Sequence, residues 1–220
     1  MKKTQVFFLF LVVLIFNSCI GLAINIQMNN DGSGRLTLEY RVSRILMNIG
    51  GLDGNQRWPV IPVGRADWDR TIERINGARI NSFSTKEVGL DTVITVVINY
   101  DTPQTLLEML EPLGDKASIT TDNAQWQLLY ILEKGAFDAE QTGIEPDLME
   151  LAQTMFSDYD LSISFSAPGN STMAITDGDG NEITPPDFAG IISSGRTTSM
   201  KMRIMDVIGM SDGIGVLFRW

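Results

Sequence analysis

The chain has no histidine in 220 residues and a single cysteine, Cys19. Without histidine there is no Ser-His-Asp or Cys-His catalysis, and no zinc or haem held by imidazole. With one cysteine there is no disulfide within the chain, so the fold rests on packing. Basic charge is also short. Lys and Arg number 17 against 27 Asp and Glu, a net charge of −10, which argues against nucleic acid as a partner. After Phe16 no apolar run approaches the length of about twenty residues that a membrane helix needs. What remains is the chemistry of carboxylates, lysines and hydroxyls, and no metal or cofactor is expected.

What is present begins at the N-terminus. Met1-Lys2-Lys3 is a short cationic start, and Val6 to Phe16 is a run of eleven apolar residues. Phe16-Asn17-Ser18 then leads into Cys19. This is the layout of a cleaved bacterial secretion signal. The cysteine at the cleavage point resembles a lipobox, in which the thiol takes a diacylglyceryl group and becomes the mature N-terminus. The usual pattern has Leu three positions before the cysteine and Ala or Gly just before it. Phe16 and Ser18 hold those positions here, which resembles the looser spirochaetal version. Two other readings of the segment stay open: an ordinary signal with an incidental cysteine, and an uncleaved anchor. Eleven helical residues span only about 17 Å, against a hydrocarbon core of about 30 Å, so the uncleaved anchor fits poorly. The expectation is therefore that residues 1–18 are removed and that Cys19 is the lipidation site. The acyl chains, palmitate among them, would hold the body in the cell envelope. Ile20 follows the cysteine, so the Asp that resembles an inner-membrane retention signal is absent. That points toward the outer membrane over the outer face of the inner membrane.

Removing residues 1–18 leaves 202 residues and shifts the net charge to −12, because Lys2 and Lys3 leave with the signal. A hydrophobic content of 44% suits a globular body, and residues 19–220 are read as one domain. Charge is segregated along it. Residues 35–79 hold eight arginines and five acids, whereas residues 101–187 hold seventeen acids and two lysines. The basic part could face anionic headgroups. The preferred reading is plainer, a set of solvated faces separated along the chain.

Hydrophobic periodicity alternates between two and 3.6. Ile24, Ile26 and Met28, then Leu36, Leu38, Tyr40 and Val42, predict a hairpin around the Asp31-Gly32-Ser33-Gly34 turn. Trp68, Ile72 and Ile75 predict a helix ending at Asn76-Gly77. Residues 78–86 and 90–100 predict a second hairpin, with Val93 to Ile98 apolar on both faces and so central in its sheet. Thr102 as N-cap and Pro103 in the first turn start a second helix, buried through Leu106, Leu107, Leu110 and Leu113. Residues 116–134 read as a third hairpin, with a helix over 126–134 as the alternative. A third helix is expected from about Pro146 to Phe156. The last third returns to strands around Leu161–Phe165, Met173–Thr176, Met200–Ile204 and Val216–Trp220. Together these give an α+β fold: a curved antiparallel sheet with about three helices on one face, in strand-strand-helix order.

Few motifs carry chemistry. Asp177-Gly178-Asp179-Gly180-Asn181-Glu182 resembles the start of a calcium loop, but Glu182 stands where the turn glycine belongs and Phe188 where the bidentate acid belongs. A polar hairpin turn is the better reading. Asp158 with Asp160, or Glu108 with Glu111, are conceivable acid–base pairs with nothing to mark them as buried. Trp58, beside Arg57, and Trp126 are candidates for contact with the headgroup layer, Trp58 the better one. Ten methionines follow Cys19, and methionine suits adaptable apolar pockets as well as ordinary core filling.

A cysteine leading into a strand and a Gly-rich turn (Ile24 to Gly34), a serine-rich strand ending in Pro168-Gly169, and a last strand ending in Trp220 resemble the LppM-like bacterial lipoproteins and related spirochaetal lipoproteins. The resemblance covers the first strand pair and residues 160–220. It implies a lipid- or glycolipid-binding α+β domain and carries over no site residue. The functional expectation is a non-enzymatic envelope lipoprotein that binds an apolar ligand such as a lipid or glycolipid. The alternative is an interaction module that holds another envelope protein with its acidic face.

Overall fold

The computed structural model describes residues 20–43, 62–110, 116–122, 125–132, 159–208 and 213–220. The elements within them run β1 (Ile20–Met28), β2 (Gly34–Ser43), α1 (Arg65–Ile72), β3 (Ala78–Val88), β4 (Asp91–Tyr100) and α2 (Pro103–Leu110). They continue as β5 (Lys116–Asp122), β6 (Gln125–Leu132), β7 (Asp160–Ser166), β8 (Thr172–Asp177), β9 (Glu182–Ile183) and β10 (Gly190–Ser194). β11 (Thr197–Arg203), α3 (Ile204–Ile208) and β12 (Ile214–Arg219) close the chain. The class is α+β, as expected. Among the described residues β1 and β2 precede α1, and β3 and β4 precede α2. The third expected helix, over 146–156, lies outside the described residues.

The strands form two sheets where the sequence led us to expect one. The larger has the order β10-β11-β7-β1-β2-β4-β3, the smaller β5-β6-β12-β8-β9. Within the larger sheet β1 and β7 run parallel, pairing Leu22 with Leu161 through Gln27 with Ser166. All the other pairings are antiparallel. A strand with one buried face alternates in the same way whatever its neighbour and direction, so neither feature was visible in the pattern. β4 lies between β2 and the edge strand β3, an interior position but not the centre.

One face of the larger sheet is the core. Ile24 and Ile26, Leu36 and Leu38, Ile94, Val96 and Ile98, and Ile163 and Phe165 recur at every second position and are buried. The smaller sheet faces them with Leu128, Tyr130, Val216 and Phe218, in the same hydrophobic cluster. The rings of Phe165 and Phe218 lie 5.0 Å apart, and those of Phe165 and Trp220 4.7 Å apart, joining the sheets.

The helices close this core. α1 begins where Asp67 reaches back to accept the Gly64 N–H at 3.1 Å, and it buries Trp68 and Ile72. Trp68 Nε1 donates to the Tyr40 hydroxyl at 3.0 Å, tying α1 to β2. α2 begins as expected, with Thr102 Oγ1 accepting the Thr105 N–H at 3.1 Å and Pro103 in the first turn. Thr105 Oγ1 in turn donates to the Asn76 carbonyl at 3.1 Å, linking the start of α2 to the loop that follows α1. α3 replaces the end of an expected strand. Arg203 forks onto both Asp206 carboxylate oxygens, at 2.7 and 2.8 Å, and so stabilises a helical turn directly after β11.

Candidate functional site

The lipidation candidate Cys19 lies outside the described residues. It is bonded to Ile20, so its Cα is about 3.8 Å from that of Ile20. Ile20 opens β1, the middle strand of the seven. No described spacer separates the anchor position from the body.

Register places the neighbours of Ile20. Leu22 pairs with Tyr40, and Tyr40 with Ile94. Two residues further along, Ile20 is therefore level with Thr92 at the start of β4. On the other side Ile20 pairs with Asp160, and Asp160 with Arg203. This end of the sheet thus carries the β3–β4 turn, the start of β7, and α3. It is closely packed. A Cβ added to Gly21 would stand 2.4 Å from Tyr159 Cβ and 2.9 Å from Ile204 Cδ1.

Described acids at this end have partners. The Tyr159 hydroxyl donates to Asp91 Oδ2 at 2.7 Å. Lys201 Nζ lies 2.8 Å from Asp160 Oδ2. Asp206 holds Arg203, and its hydrogen bonds and charge push the guanidinium further above its ordinary value. The β3–β4 turn itself is Gly89-Leu90, with Val88 paired to Asp91. Gly89 has φ 62°, which suits a primed two-residue hairpin turn. Leu90 at the tip is 68% exposed.

The other candidates resolve as structural features. Asp177 Oδ1 accepts the backbone N–H of Asp179 at 3.0 Å and of Asn181 at 2.8 Å, and the Asn181 side chain donates to the same carboxylate. The Asn181 bonds, side chain first, hold the Asp177 carboxyl below its ordinary value. The carboxylate is occupied in closing a polar turn, as the sequence suggested. Asp31 does the same at the β1–β2 turn, accepting from Ser33 Oγ at 2.7 Å and from its N–H at 3.0 Å, and its carboxyl is likewise lowered. Asp160 is paired with Lys201, and Glu108 is exposed. Their proposed partners Asp158 and Glu111 lie outside the described residues. Among the described residues no three Asp, Glu, Cys or His converge as a metal site.

Three arginines of the basic part are paired, Arg65 with Asp69, Arg70 with Asp67 and Arg79 with Asp101; Arg44 and Arg57 lie outside the described residues. A shallow recess of about 280 Å³ lies beside α1, bordered by Pro62, Asp67, Arg70, Thr71 and Arg74. It is open to solvent.

Trp58 lies outside the described residues. Trp126 is 45% exposed, yet it stacks on Trp220 at 6.3 Å, and Trp220 touches Phe165. Phe165 pairs with Ile26, six residues along β1 from Ile20. At about 3.3 Å per residue this is about 20 Å from the anchor end, so Trp126 belongs to the opposite part of the body. The sequence reading placed Leu90 at the start of a strand over 90–100, whereas it lies in the turn before β4. Its signal was an apolar residue beside a glycine between two strand-like runs, where a polar turn residue is usual.

Among the described residues no helix is long and apolar enough to cross a membrane. No family model matches the chain, and no curated protein matches its sequence. Among solved structures it is similar to the NMR structure of the folded domain of LppM from Mycobacterium tuberculosis, over 91% of each chain, with a TM-score of 0.42 and 11% identity. That likeness is distant and transfers no site residue.

Proposed function

We propose that this chain is a cell-envelope lipoprotein without enzymatic activity, held at a membrane by acyl chains on Cys19 after removal of residues 1–18. The observation that carries this reading is continuity. The signal-like segment ends one residue before the middle strand of the larger sheet, so an acylated Cys19 would hold the folded body against the membrane surface. The absence of histidine from the sequence and the use of the one thiol as anchor support the non-enzymatic part. Labelling of growing cells with palmitate, together with the intact mass of the purified protein, tests the anchor. The expected protein begins at Cys19 and is labelled, and Cys19→Ala abolishes the label. An unlabelled protein that still begins at Met1 would overturn the reading.

The finer reading is that the body takes a lipid or glycolipid. Its support is the set of methionines on the inner face of the larger sheet, Met28, Met200 and Met202, whose side chains repack readily. Around Phe165, Phe218 and Trp220 the two sheets are in direct contact, so a ligand would be held elsewhere along that face. Native mass spectrometry with added envelope lipid should show a stoichiometric adduct. A persistent apo mass would count against the ligand.

A further inference from the structure

We propose that the Gly89-Leu90 tip is a second membrane contact, with Leu90 entering the phospholipid bilayer that holds the Cys19 acyl chains and seating the larger sheet end-on. This rests on the anchor reading above and extends it to orientation.

Three observations carry it. The first is position. Ile20 is level with Thr92, and Leu90 lies two residues beyond Thr92 in the direction of Cys19. At about 3.3 Å per residue Leu90 therefore stands about 7 Å past the level of Ile20, and two strand spacings put it about 10 Å to the side. Acyl chains leaving Cys19 and a side chain at this tip reach the same surface. The second is chemistry. A two-residue turn in water takes Gly, Asn, Asp or Ser, and Gly89 supplies the left-handed position without help from Leu90. Leu90 is 68% exposed, so its apolar surface has no described cover. The third is charge. A body of net charge −12 is repelled by anionic lipid unless the approaching end is locally neutral. At this end Asp160 and Asp206 are each paired with a cation, and Asp91, which accepts from the Tyr159 hydroxyl, and Glu87 are matched in number by Arg41 and Lys86. Lys86, four residues before the tip, is exposed with no ion-pair partner among the described residues. The turn at the other end of the sheet, Asn29 to Ser33, offers polar side chains alone and is closed on itself.

The test uses the mature acylated protein in phosphatidylethanolamine–phosphatidylglycerol vesicles. An environment-sensitive fluorophore is placed at L90C or, as the far-end control, at N170C in the exposed β7–β8 loop. Both positions are exposed, so neither change removes a packed side chain. The expected result is a blue-shifted emission at position 90, quenched by nitroxide-bearing lipid and shielded from aqueous iodide, with position 170 open to water. An acylated protein whose position 90 is as open to iodide as position 170 overturns the seating and leaves the anchor standing. Equal burial of both positions overturns the end-on orientation. A protein without acyl mass overturns the anchor and the seating together.

Discussion

The two ends of the seven-stranded sheet are finished in opposite ways. At the end away from Ile20 the β1–β2 turn is stitched by its own polar groups: Asn29 N–H donates to the Ser33 carbonyl at 2.8 Å, and Asp31 takes two bonds from Ser33. Beside it the Tyr100 hydroxyl donates to the Gln27 carbonyl at 2.9 Å, and Arg79 pairs with Asp101. At the Ile20 end the turn is two residues long and apolar at its tip. Nearby, Lys201 pairs with Asp160 and Arg203 with Asp206, and Asp91 accepts from the Tyr159 hydroxyl. One end is built to satisfy water with local bonds; the other cancels charge and leaves a leucine outside. The lesson is that a turn's composition reports what it faces, once its place in the fold is known.

The largest effect expected from a single change comes at the far end, where the sheets meet. Phe165 is fully buried and touches both Phe218 and Trp220. Phe165→Ala should cost about 3–5 kcal/mol in urea unfolding. A loss below about 1 kcal/mol would mean that the sheets are joined elsewhere and that the far end is not the better-built one.

Two glycines sharpen the contrast further. A Cβ on Gly34, at the far end, would lie 2.0 Å from the Gln27 carbonyl oxygen, a backbone atom that cannot step aside. Gly34→Ala should cost about 1–3 kcal/mol through overpacking. A Cβ on Gly89 would meet nothing within 4 Å, but φ is 62°. Gly89→Ala should cost about 1 kcal/mol through left-handed backbone strain alone. No loss at Gly34 would mean that the approach of the Gln27 carbonyl relaxes freely, and no loss at Gly89 would mean that its left-handed backbone carries no strain for alanine.

Buried tyrosine gives a pH handle. Burial pushes Tyr40 up to about 12 from 10.0; the nearby Asp67 charge adds to the rise and the Trp68 N–H opposes it. The raised value favours the protonated hydroxyl, which donates to the Pro62 carbonyl. Above pH 10 the unfolded chain ionises this group while the folded one does not, so its contribution to stability is complete below 10 and is lost as pH rises through about 12. Tyr40→Phe should flatten the fall of unfolding free energy over that window. Some fall should persist, because burial raises Tyr100 as well. An unchanged slope would place the Tyr40 hydroxyl in water.

Much of this architecture was legible in the chain because its causes are local. Ile24, Ile26 and Met28 alternate, so β1 could be read; Thr102-Pro103 starts α2 with a cap and a proline, so its first turn could be read to the residue. The division into two sheets and the parallel seam of β1 with β7 depend on which strand lies beside which, and alternation carries no such information. β9 and β10 went unread because β9 is only two residues long and β10 is mostly exposed, so neither leaves a periodic trace. α3 was missed because Arg203, placed in the strand, takes Asp206 three residues on, which is a helical spacing hidden behind the alternation of Met200 and Met202. The site divides in the same way. The proposal for Cys19 rests on a linear pattern, which a sequence displays directly. Leu90 was not legible, because its meaning comes from standing just beyond the level of Ile20, two strands away.

The smallest expected effect is the most discriminating for the two-ends contrast. Leu90→Ser replaces an exposed tip residue with one that favours turns, so in water the unfolding free energy should change by no more than about 0.5 kcal/mol in either direction. The same change should diminish association with vesicles, since burying a leucine side chain is worth about 1.5–3 kcal/mol. Urea titrations of the wild-type and L90S proteins in lipid-free buffer make the comparison. A destabilisation above about 1 kcal/mol would mean that Leu90 packs on the protein's own surface. The tip would then be part of the fold, and the asymmetry between the ends would no longer require a membrane to explain it.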